Sequence, residues 1–214
     1  CVVLATTSPA IAQPDPAAKN TPEYKAAFTH GRALFDATDY EGAREHAIDV
    51  GTGCGVLAFQ LARAGFSRVT ACDINPNALE SVARDVARQP SPPPVDLVES
   101  DLLEAISDEA DLIVFNPPWI PGRVDSPLDR ALFYDDDLFE RFFAQAHRKL
   151  ATGGRVVLVF SSVLRLLHPD AAHPIDAELD RGRFVLERKL QRRVKGQGRR
   201  TKERVEVWVL APAE

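Results

Sequence analysis

Short apolar runs alternate with segments of helical spacing along most of the chain. Five runs have the length and apolar content of buried strands: His46 to Val50, Arg68 to Cys72, Val95 to Glu99, Ala110 to Phe115 and Arg155 to Ser161. The segments between them predict helices from Val56 to Ala64, from Pro76 to about Arg88, and from Asp137 to Leu150. Strands that alternate with helices indicate a parallel sheet that is covered by helices on both faces.

Capping residues mark where two of these helices begin or end. Asn75 is a preferred N-cap residue, and Pro76 suits the first helical position because its fixed φ is already helical. Gly153 and Gly154 are expected to end the third helix, since glycine commonly follows the last helical residue.

The final part of the chain follows a different pattern. Apolar and polar residues alternate from Phe184 to Val194 and again from Lys202 to Leu210. The sequence Lys195-Gly196-Gln197-Gly198 between them is typical of a tight turn. The pattern therefore predicts a β-hairpin, so that the parallel sheet finishes in an antiparallel strand.

One domain accounts for most of the chain, and a lead-in precedes it. Residues 45–214 carry the alternating pattern, whereas residues 1–44 combine an irregular stretch rich in Pro, Ala and Asn with a helix from about Pro22 to Ala37. The first residue is Cys1 and the 214 residues include no methionine, so we expect that the natural start is missing.

The composition, 45% hydrophobic and 27% charged, is that of an ordinary soluble domain. The three cysteines form no C-x-x-C pair and the five histidines form no cluster, so we expect neither a disulfide framework nor a metal site. This cysteine usage fits a reducing, cytoplasmic compartment. No apolar run has the length of a membrane span, so no membrane partner is expected.

Charge is distributed unevenly along the chain. The net charge of −5 does not suggest a nucleic-acid binder, yet eleven Lys or Arg and only two acidic residues lie between Arg181 and Arg204. On the predicted hairpin these side chains would form a basic ridge that could contact RNA phosphates. Alternatively, they form a solvated edge that discourages aggregation between strands.

The first predicted strand runs into a glycine loop, Gly51-Thr52-Gly53-Cys54-Gly55, which a helix follows. Glycines allow a tight turn and the close approach of a ligand, and the helix offers free N–H groups. The spacing G-x-G-x-G differs from the G-x-G-x-x-G of dinucleotide binders. Asp49 precedes the first glycine, where it would repel a pyrophosphate but would suit the ammonium group of S-adenosyl-L-methionine (SAM).

Two further acidic residues follow the second and third strands. Asp73 is placed to accept hydrogen bonds from both ribose hydroxyls, and Asp101 is placed to accept one from the adenine amino group. Taken singly, Asp49 could cap a helix, and the other two could be solvated loop acids. Together, at the carboxyl ends of successive strands, they predict a SAM-binding crevice, whose further residues are Thr52, Ile74 and Leu102.

The tetrapeptide Asn116-Pro117-Pro118-Trp119 directly follows the fourth strand, at the same sheet edge as the glycine loop. Its two prolines have nearly fixed φ angles and make a rigid corner. The side-chain oxygen of Asn116 and the carbonyl of Pro117 could accept both N–H bonds of a planar amino or amide group and aim its lone pair at a methyl donor. Trp119 would stack on the flat target. Alone, the tetrapeptide would indicate a proline turn beside a core tryptophan.

With these motifs, residues 45–210 resemble the class I SAM-dependent methyltransferases. More narrowly, they resemble the "methyltransferase small" group, which includes glutamine methyltransferases of release factors and N-methyltransferases of ribosomal and transfer RNA. The resemblance implies an α/β fold with a Rossmann-like, mostly parallel seven-stranded sheet whose last strand is antiparallel. The tetrapeptide of this group ends more often in Tyr or Phe than in Trp.

The resemblance also implies a role for each motif residue. Asp49 and the three loop glycines would hold the methionine moiety of SAM, Asp73 the ribose and Asp101 the adenine. The segment from Asn116 to Trp119 would hold the target nitrogen, and Asn116 would contact the cofactor as well. Residues 1–45 match neither the helical domain of the glutamine enzymes nor the duplicated domain of some RNA enzymes.

The sequence therefore predicts a SAM-dependent N-methyltransferase whose acceptor is a macromolecule, either an RNA base or a glutamine of a protein such as a release factor. A small-molecule amine is a third possible acceptor. A nicotinamide-dependent oxidoreductase is an alternative, because an acid follows the second strand, although Asp49 and the glycine spacing oppose it. A catalytically silent SAM-binding partner subunit is a further alternative, which the intact tetrapeptide opposes.

Overall fold

The computed structural model describes residues 44–125, 129, 133–193 and 203–213. The expected helix from Pro22 to Ala37 and the expected turn at Lys195-Gly196-Gln197-Gly198 lie outside these residues. The division of the chain into a lead-in and a domain at residue 44 therefore stays a prediction.

A seven-stranded sheet forms the centre of the described domain. The strands, in chain order, are β1 (His46–Val50), β2 (Arg68–Asp73), β3 (Val95–Glu99), β4 (Ala110–Phe115), β5 (Ile120–Pro121), β6 (Phe133–Tyr134), β7 (Leu150–Ser161), β8 (Phe184–Arg193) and β9 (Arg204–Pro212). The sheet has the order β3-β2-β1-β4-β7-β9-β8, and β5 and β6 form a separate parallel pair. Strand β9 runs antiparallel to both β7 and β8, whereas the other neighbours pair in parallel. The predicted fold is thereby confirmed.

The helices that connect these strands are α1 (Val56–Arg63), α2 (Pro76–Ala87), α3 (Leu138–Lys149), α4 (Val163–Leu167) and α5 (Pro174–Arg181). Helix α2 begins as predicted, because the side chain of Asn75 accepts a hydrogen bond from the N–H of Asn77 at 3.1 Å and Pro76 is the first helical residue.

Both faces of the sheet are buried. One face carries a large aromatic cluster in which Phe142 of α3 packs with Phe115 and Phe160 of the strands. The other face carries smaller side chains, and Leu61 of α1 packs there against residues such as Val69. The aromatic core extends to the carboxyl ends of the strands, where Val50 and Phe115 also form part of a cavity.

The glycine pair after α3 does not end that helix, contrary to the prediction. Helix α3 stops at Lys149, and β7 begins at once with Leu150 and continues through Gly153 and Gly154. Gly153 adopts a φ of +79°, and a Cβ on Gly154 would lie 2.9 to 3.1 Å from three backbone oxygens. The pair instead permits an irregularity in the pairing of β4 with β7.

The basic ridge does not begin at Arg181, which is also contrary to the prediction. Arg181 is the last residue of α5 and forms an ion pair with Glu140. Arg183 precedes β8 and donates two hydrogen bonds of 2.7 Å to the buried carboxylate of Glu178. Both guanidinium groups therefore bind carboxylates of helices and do not belong to the hairpin. The hairpin begins after them, at Phe184.

The sequence analysis expects neither a metal site nor a membrane-spanning segment. Among the residues that the structure describes, no group of three or more His, Cys, Asp or Glu side chains is arranged to hold a metal ion. None of the described helices is both long and apolar enough to cross a membrane.

Candidate active site

A cavity of about 600 Å³ lies at the carboxyl ends of β1, β2, β3 and β4. This is the point where the sheet order reverses, with β2 and β3 on one side of β1 and β4 on the other, and ligands of open α/β sheets bind at such points. The predicted site residues that line it are Gly51, Gly53, Asp73, Ile74, Asp101, Leu102, Asn116 and Pro118. Five predicted residues are not among its lining residues, namely Asp49, Thr52, Gly55, Pro117 and Trp119.

The glycine loop depends on backbone conformations that side chains disfavour. Gly51, Gly53 and Gly55 have φ angles of 63°, 53° and 77°. Gly51 and Gly53 face the cavity, where their bare backbone allows a ligand to approach. Gly55 instead turns toward α2, because a Cβ at this position would lie 2.9 Å from Val82. The third glycine thus allows close packing of the loop on α2.

Asp49 lies beneath the loop and not on the cavity wall. Its Oδ2 accepts hydrogen bonds from the hydroxyl of Thr52 at 2.7 Å and from the N–H of Ala58, in the first turn of α1, at 2.9 Å. Its other oxygen, Oδ1, is buried without a hydrogen-bond partner in the described structure. The helix-capping alternative therefore describes what this side chain does in the protein without ligand.

Burial raises the pKa of Asp49 to about 7, although the bonds from Thr52 and Ala58 oppose the shift. Because an unfolded chain would hold this proton only below pH 3.8, the folded state binds more protons between about pH 4 and pH 7. The contribution of Asp49 to the free energy of unfolding is then full below pH 4. It decreases as the pH rises toward 7.

We expect Asp49→Asn to remove this pH dependence. The substituted side chain keeps an oxygen that can accept both hydrogen bonds but cannot ionise, so the wild type should lose up to about 4 kcal/mol more than the variant from pH 4 to pH 7. Chemical unfolding at a series of pH values measures the difference. Parallel stability curves for the two proteins would show that the buried carboxyl does not titrate in this range.

Asp73, at the end of β2, connects the glycine loop to the start of α2. Its Oδ2 accepts a hydrogen bond from the N–H of Gly53 at 2.9 Å, and its Oδ1 accepts one from the N–H of Asn75 at 2.8 Å. A carboxylate oxygen has two lone pairs, so each oxygen retains one that can accept a hydroxyl. The side chain lines the cavity, so these lone pairs are available to a ligand there.

Asp101 and Leu102 follow β3 at the far end of the cavity. Asp101 forms a 2.9 Å ion pair with Arg141 of α3, a partner forty residues away that the sequence pattern did not reveal. Leu102 has a φ of 55°, the one positive φ among the described non-glycine residues. A bulky residue is rarely held in this conformation, and such strain is typical of binding sites.

The tetrapeptide after β4 divides between the cavity and the core. Asn116 is exposed and lines the cavity together with Pro118, whereas Pro117 is buried. Trp119 is half-buried, packs against the aromatic core and donates its indole N–H to the carbonyl of Val159 in β7 at 3.2 Å. The edge of the indole ring is therefore hydrogen-bonded to the sheet. The sequence analysis predicted that the ring would stack on the target and did not predict this bond.

Two short strands that the sequence analysis did not predict contribute to the cavity wall. After the tetrapeptide, β5 pairs with β6, so that Phe133 and Tyr134 return to line the cavity with Val124, Asp135 and Leu138. A two-residue strand carries no periodicity, so no pattern in the sequence could have identified this pair.

The cavity fits a nucleoside that carries a positive charge. Its volume lies within the roughly 300–1,000 Å³ range of cofactor sites. The carboxylates of Asp73 and Asp101 face it, the bare loop of Gly51 and Gly53 permits close approach, and apolar side chains such as Leu102 can sandwich a flat base. These are the groups expected of a SAM site.

The family model for the methyltransferase small domain matches residues 31–169. The chain belongs to this family. The match confirms the resemblance that the glycine loop and the tetrapeptide suggested, and with it a SAM-dependent methyltransferase domain. It also opposes the alternative of a nicotinamide-dependent oxidoreductase.

Curated relatives and solved structures agree with the family match. The chain is 41% identical over 96 residues to a release factor glutamine methyltransferase of Deinococcus radiodurans, which covers 44% of this chain and 34% of the relative. It is 30% identical over 138 residues to a tRNA1(Val) (adenine(37)-N6)-methyltransferase of Glaesserella parasuis, which covers 61% and 57%. The chain thus spans less than two thirds of the length of either relative.

The fold is shared with the N-methyltransferase NodS of Bradyrhizobium japonicum in complex with S-adenosyl-L-homocysteine. The TM-score is 0.65, and the match covers 95% of this chain and 94% of that chain. The sequence identity is only 18%, so this likeness supports the fold and no closer relation.

Proposed function

We propose that the protein transfers the methyl group of SAM to a planar amino or amide nitrogen of a macromolecule. One observation carries the proposal: Asn116 and Pro118 line the same cavity as Gly51 and Asp73. The residues suited to holding a planar nitrogen therefore lie beside those suited to holding the methyl donor.

On the donor side, the chain's task is to bind and orient. SAM, when bound, supplies a methyl group that is activated by its attachment to a positively charged sulfur. Asp73 would accept the ribose hydroxyls, Asp101 would accept the adenine amino group, and Leu102 would pack on the adenine ring. Asp49 would act from beneath the loop, where it fixes Thr52 and the start of α1.

On the acceptor side, the chain's task is to make a poor nucleophile reactive. The lone pair of an aromatic amine or an amide is delocalised, and a hydrogen bond from its N–H group to the side-chain oxygen of Asn116, which is exposed on the cavity wall, would turn it toward the donor. That oxygen would also stabilise the positive charge developing on the nitrogen. The methylated nitrogen then loses its proton to solvent, so no strong general base is required.

Charge at the sheet edge favours RNA as the acceptor. Strand β8 runs in the same direction as β7, so its carboxyl end lies at the same sheet edge as the cavity. Arg192 and Arg193 are exposed there, and neither forms an ion pair within the described structure. Lys189, farther from the edge, is instead engaged with Glu206 at 2.9 Å. Among the residues that the structure describes, these two arginines are therefore available to phosphates.

A protein glutamine is the second candidate. The relatives include glutamine methyltransferases of release factors, and the acidic side chain of Asp135 lines the cavity beside Phe133, where it would repel phosphates. A cytoplasmic location suits either acceptor, and the free thiols of Cys54 and Cys72 support it.

The acceptor class can be tested with SAM that carries a labelled methyl group. The purified protein would be incubated with total RNA and, separately, with total protein from cells that lack the gene. We expect label in the RNA that ribonuclease removes and protease does not. If protease removes the label, the acceptor would instead be a protein glutamine. Absence of label from both extracts would contradict a macromolecular acceptor.

A further inference from the structure

We propose that the ring of Phe133 is the surface on which the planar acceptor group packs during methyl transfer, a role that sequence reasoning had given to Trp119. The inference rests on the proposed function, because it concerns the acceptor half of the same cavity. It identifies a positioning residue outside the tetrapeptide.

Trp119 is not free to serve as the platform. Its indole N–H is bonded to Val159, its ring packs against the aromatic core, and it does not line the cavity. Moving the ring toward the cavity would break this hydrogen bond and open the core. The side chain therefore anchors the tetrapeptide to β7, which holds Asn116 and Pro118 in place.

Phe133 differs from its apolar neighbours on the cavity wall. Tyr134 and Leu138 also line the cavity, but both pack against the aromatic core, and the Tyr134 ring meets Phe139 edge-on with centroids 5.0 Å apart. Phe133 belongs to neither core cluster of the described residues, although it is half-buried and lines the cavity. Its side chain therefore forms part of the cavity wall without contributing to either core cluster.

The position of the ring is fixed by the backbone around it. Phe133 pairs with Ile120, directly after the tetrapeptide, so the platform and the acceptor-binding corner are held together. The N–H of Gly122 donates to the carbonyl of Tyr134 at 3.0 Å, and a Cβ on Gly122 would lie 2.8 Å from the Phe133 ring. Only a residue without a side chain allows the ring to rest there.

A fixed aromatic ring suits a flat acceptor whether it is a base or an amide. Stacking adds attraction that does not depend on the identity of the base, and an ordered ring places the nitrogen without further loss of freedom. Phe133 pairs with Ile120 beside the tetrapeptide, whereas Asp101 and Leu102, which would hold the adenine, follow β3. Loss of the ring should therefore affect the acceptor and not the cofactor.

The test compares Phe133→Leu, Phe133→Tyr and Gly122→Ala with the wild type. The leucine keeps apolar volume but removes the flat face, the tyrosine keeps the face, and the alanine pushes the ring aside. Methyl transfer would be measured as a function of the concentration of the extract, RNA or protein, that the wild type labels. Binding of S-adenosyl-L-homocysteine would be measured by calorimetry, and thermal unfolding would report on the fold.

We expect Phe133→Leu to lower kcat/KM for the acceptor about tenfold or more, mainly through KM, and Gly122→Ala to change it in the same direction. Phe133→Tyr should restore most of the wild-type value, and all three variants should bind S-adenosyl-L-homocysteine within about twofold of the wild type. An unchanged acceptor KM in Phe133→Leu, or a parallel loss of S-adenosyl-L-homocysteine binding, would overturn the inference. A wild type that labels neither extract would overturn the proposed function itself.

Discussion

Asn116→Ala is expected to abolish most methyl transfer while the cofactor still binds. The substitution removes the side-chain oxygen that would orient the acceptor nitrogen, and loss of one such preorganised dipole typically lowers kcat by about 10² to 10³. Asn116 is exposed on the cavity wall, so its removal should leave the core and the stability almost unchanged. Transfer of labelled methyl from SAM into the responsive extract measures the effect.

The control for this variant is cofactor binding. Asn116 was also expected to contact SAM, but Asp73 and the glycine loop form the larger part of that side of the cavity. Binding of S-adenosyl-L-homocysteine should therefore weaken far less than methyl transfer. A variant that transfers methyl groups at the wild-type rate would refute the mechanism assigned to Asn116.

Asp73→Ala is expected to have the largest effect on the cofactor. The substitution removes the proposed acceptor of the ribose hydroxyls and also the bonds from the N–H groups of Gly53 and Asn75, which join the glycine loop to α2. Hydrogen bonds to a charged group contribute about 1.5–3 kcal/mol each, so affinity for S-adenosyl-L-homocysteine should fall about 100-fold or more. Titration calorimetry measures the loss.

Glu80→Ala provides a matched control for the change in charge. Glu80 lies on the exposed face of α2, where its contact with Arg84 is a surface pair within one helix. Its removal changes the net charge by the same amount but should leave binding unchanged. If Asp73→Ala bound S-adenosyl-L-homocysteine as well as Glu80→Ala does, the ribose assignment would be wrong.

The strands that build the site could be predicted because burial on both faces requires apolar sequences, and these are visible in the chain. Apolar runs such as Ala110 to Phe115 are buried on both faces, and a loop residue or proline follows where each strand ends. Parallel strands deliver the residues that follow them to one edge, so the sequence placed Gly51, Asp73, Asp101 and Asn116 together correctly. Only the order of the strands and helices was needed to predict that these residues lie together.

The features that could not be predicted depend on contacts between distant parts of the chain. Asp101 pairs with Arg141, and Trp119 bonds with Val159, each across forty residues, which no local pattern encodes. Asp49 looked equally suited to a ligand or to a helix, and only its depth beneath the loop shows which partner it has. The position of Phe133 follows from a two-residue strand that is too short to leave a periodic pattern.

The prediction that a glycine pair ends helix α3 was wrong for a related reason. The pair Gly153 and Gly154 has the composition of a helix end, but its neighbours in space are the oxygens of Ala110 and Asp111. The same residue type permits a left-handed turn, a close approach or an irregular strand, and the surrounding chain decides which of these occurs. At Gly55 the deciding neighbour is Val82, which a sequence alone does not place.

The place of β9 in the sheet has a consequence for the order in which the molecule can form. Strand β8 is an edge strand whose neighbour in the sheet is β9, and β9 follows it in the chain. While the polypeptide is being synthesised, β7 and β8 must therefore leave the ribosome before the strand that joins them exists. Until residues 204–212 emerge, both strands expose backbone groups that could pair with other chains. Nascent chains that are halted before Arg204 should accordingly aggregate more readily than chains that contain residues 204–212.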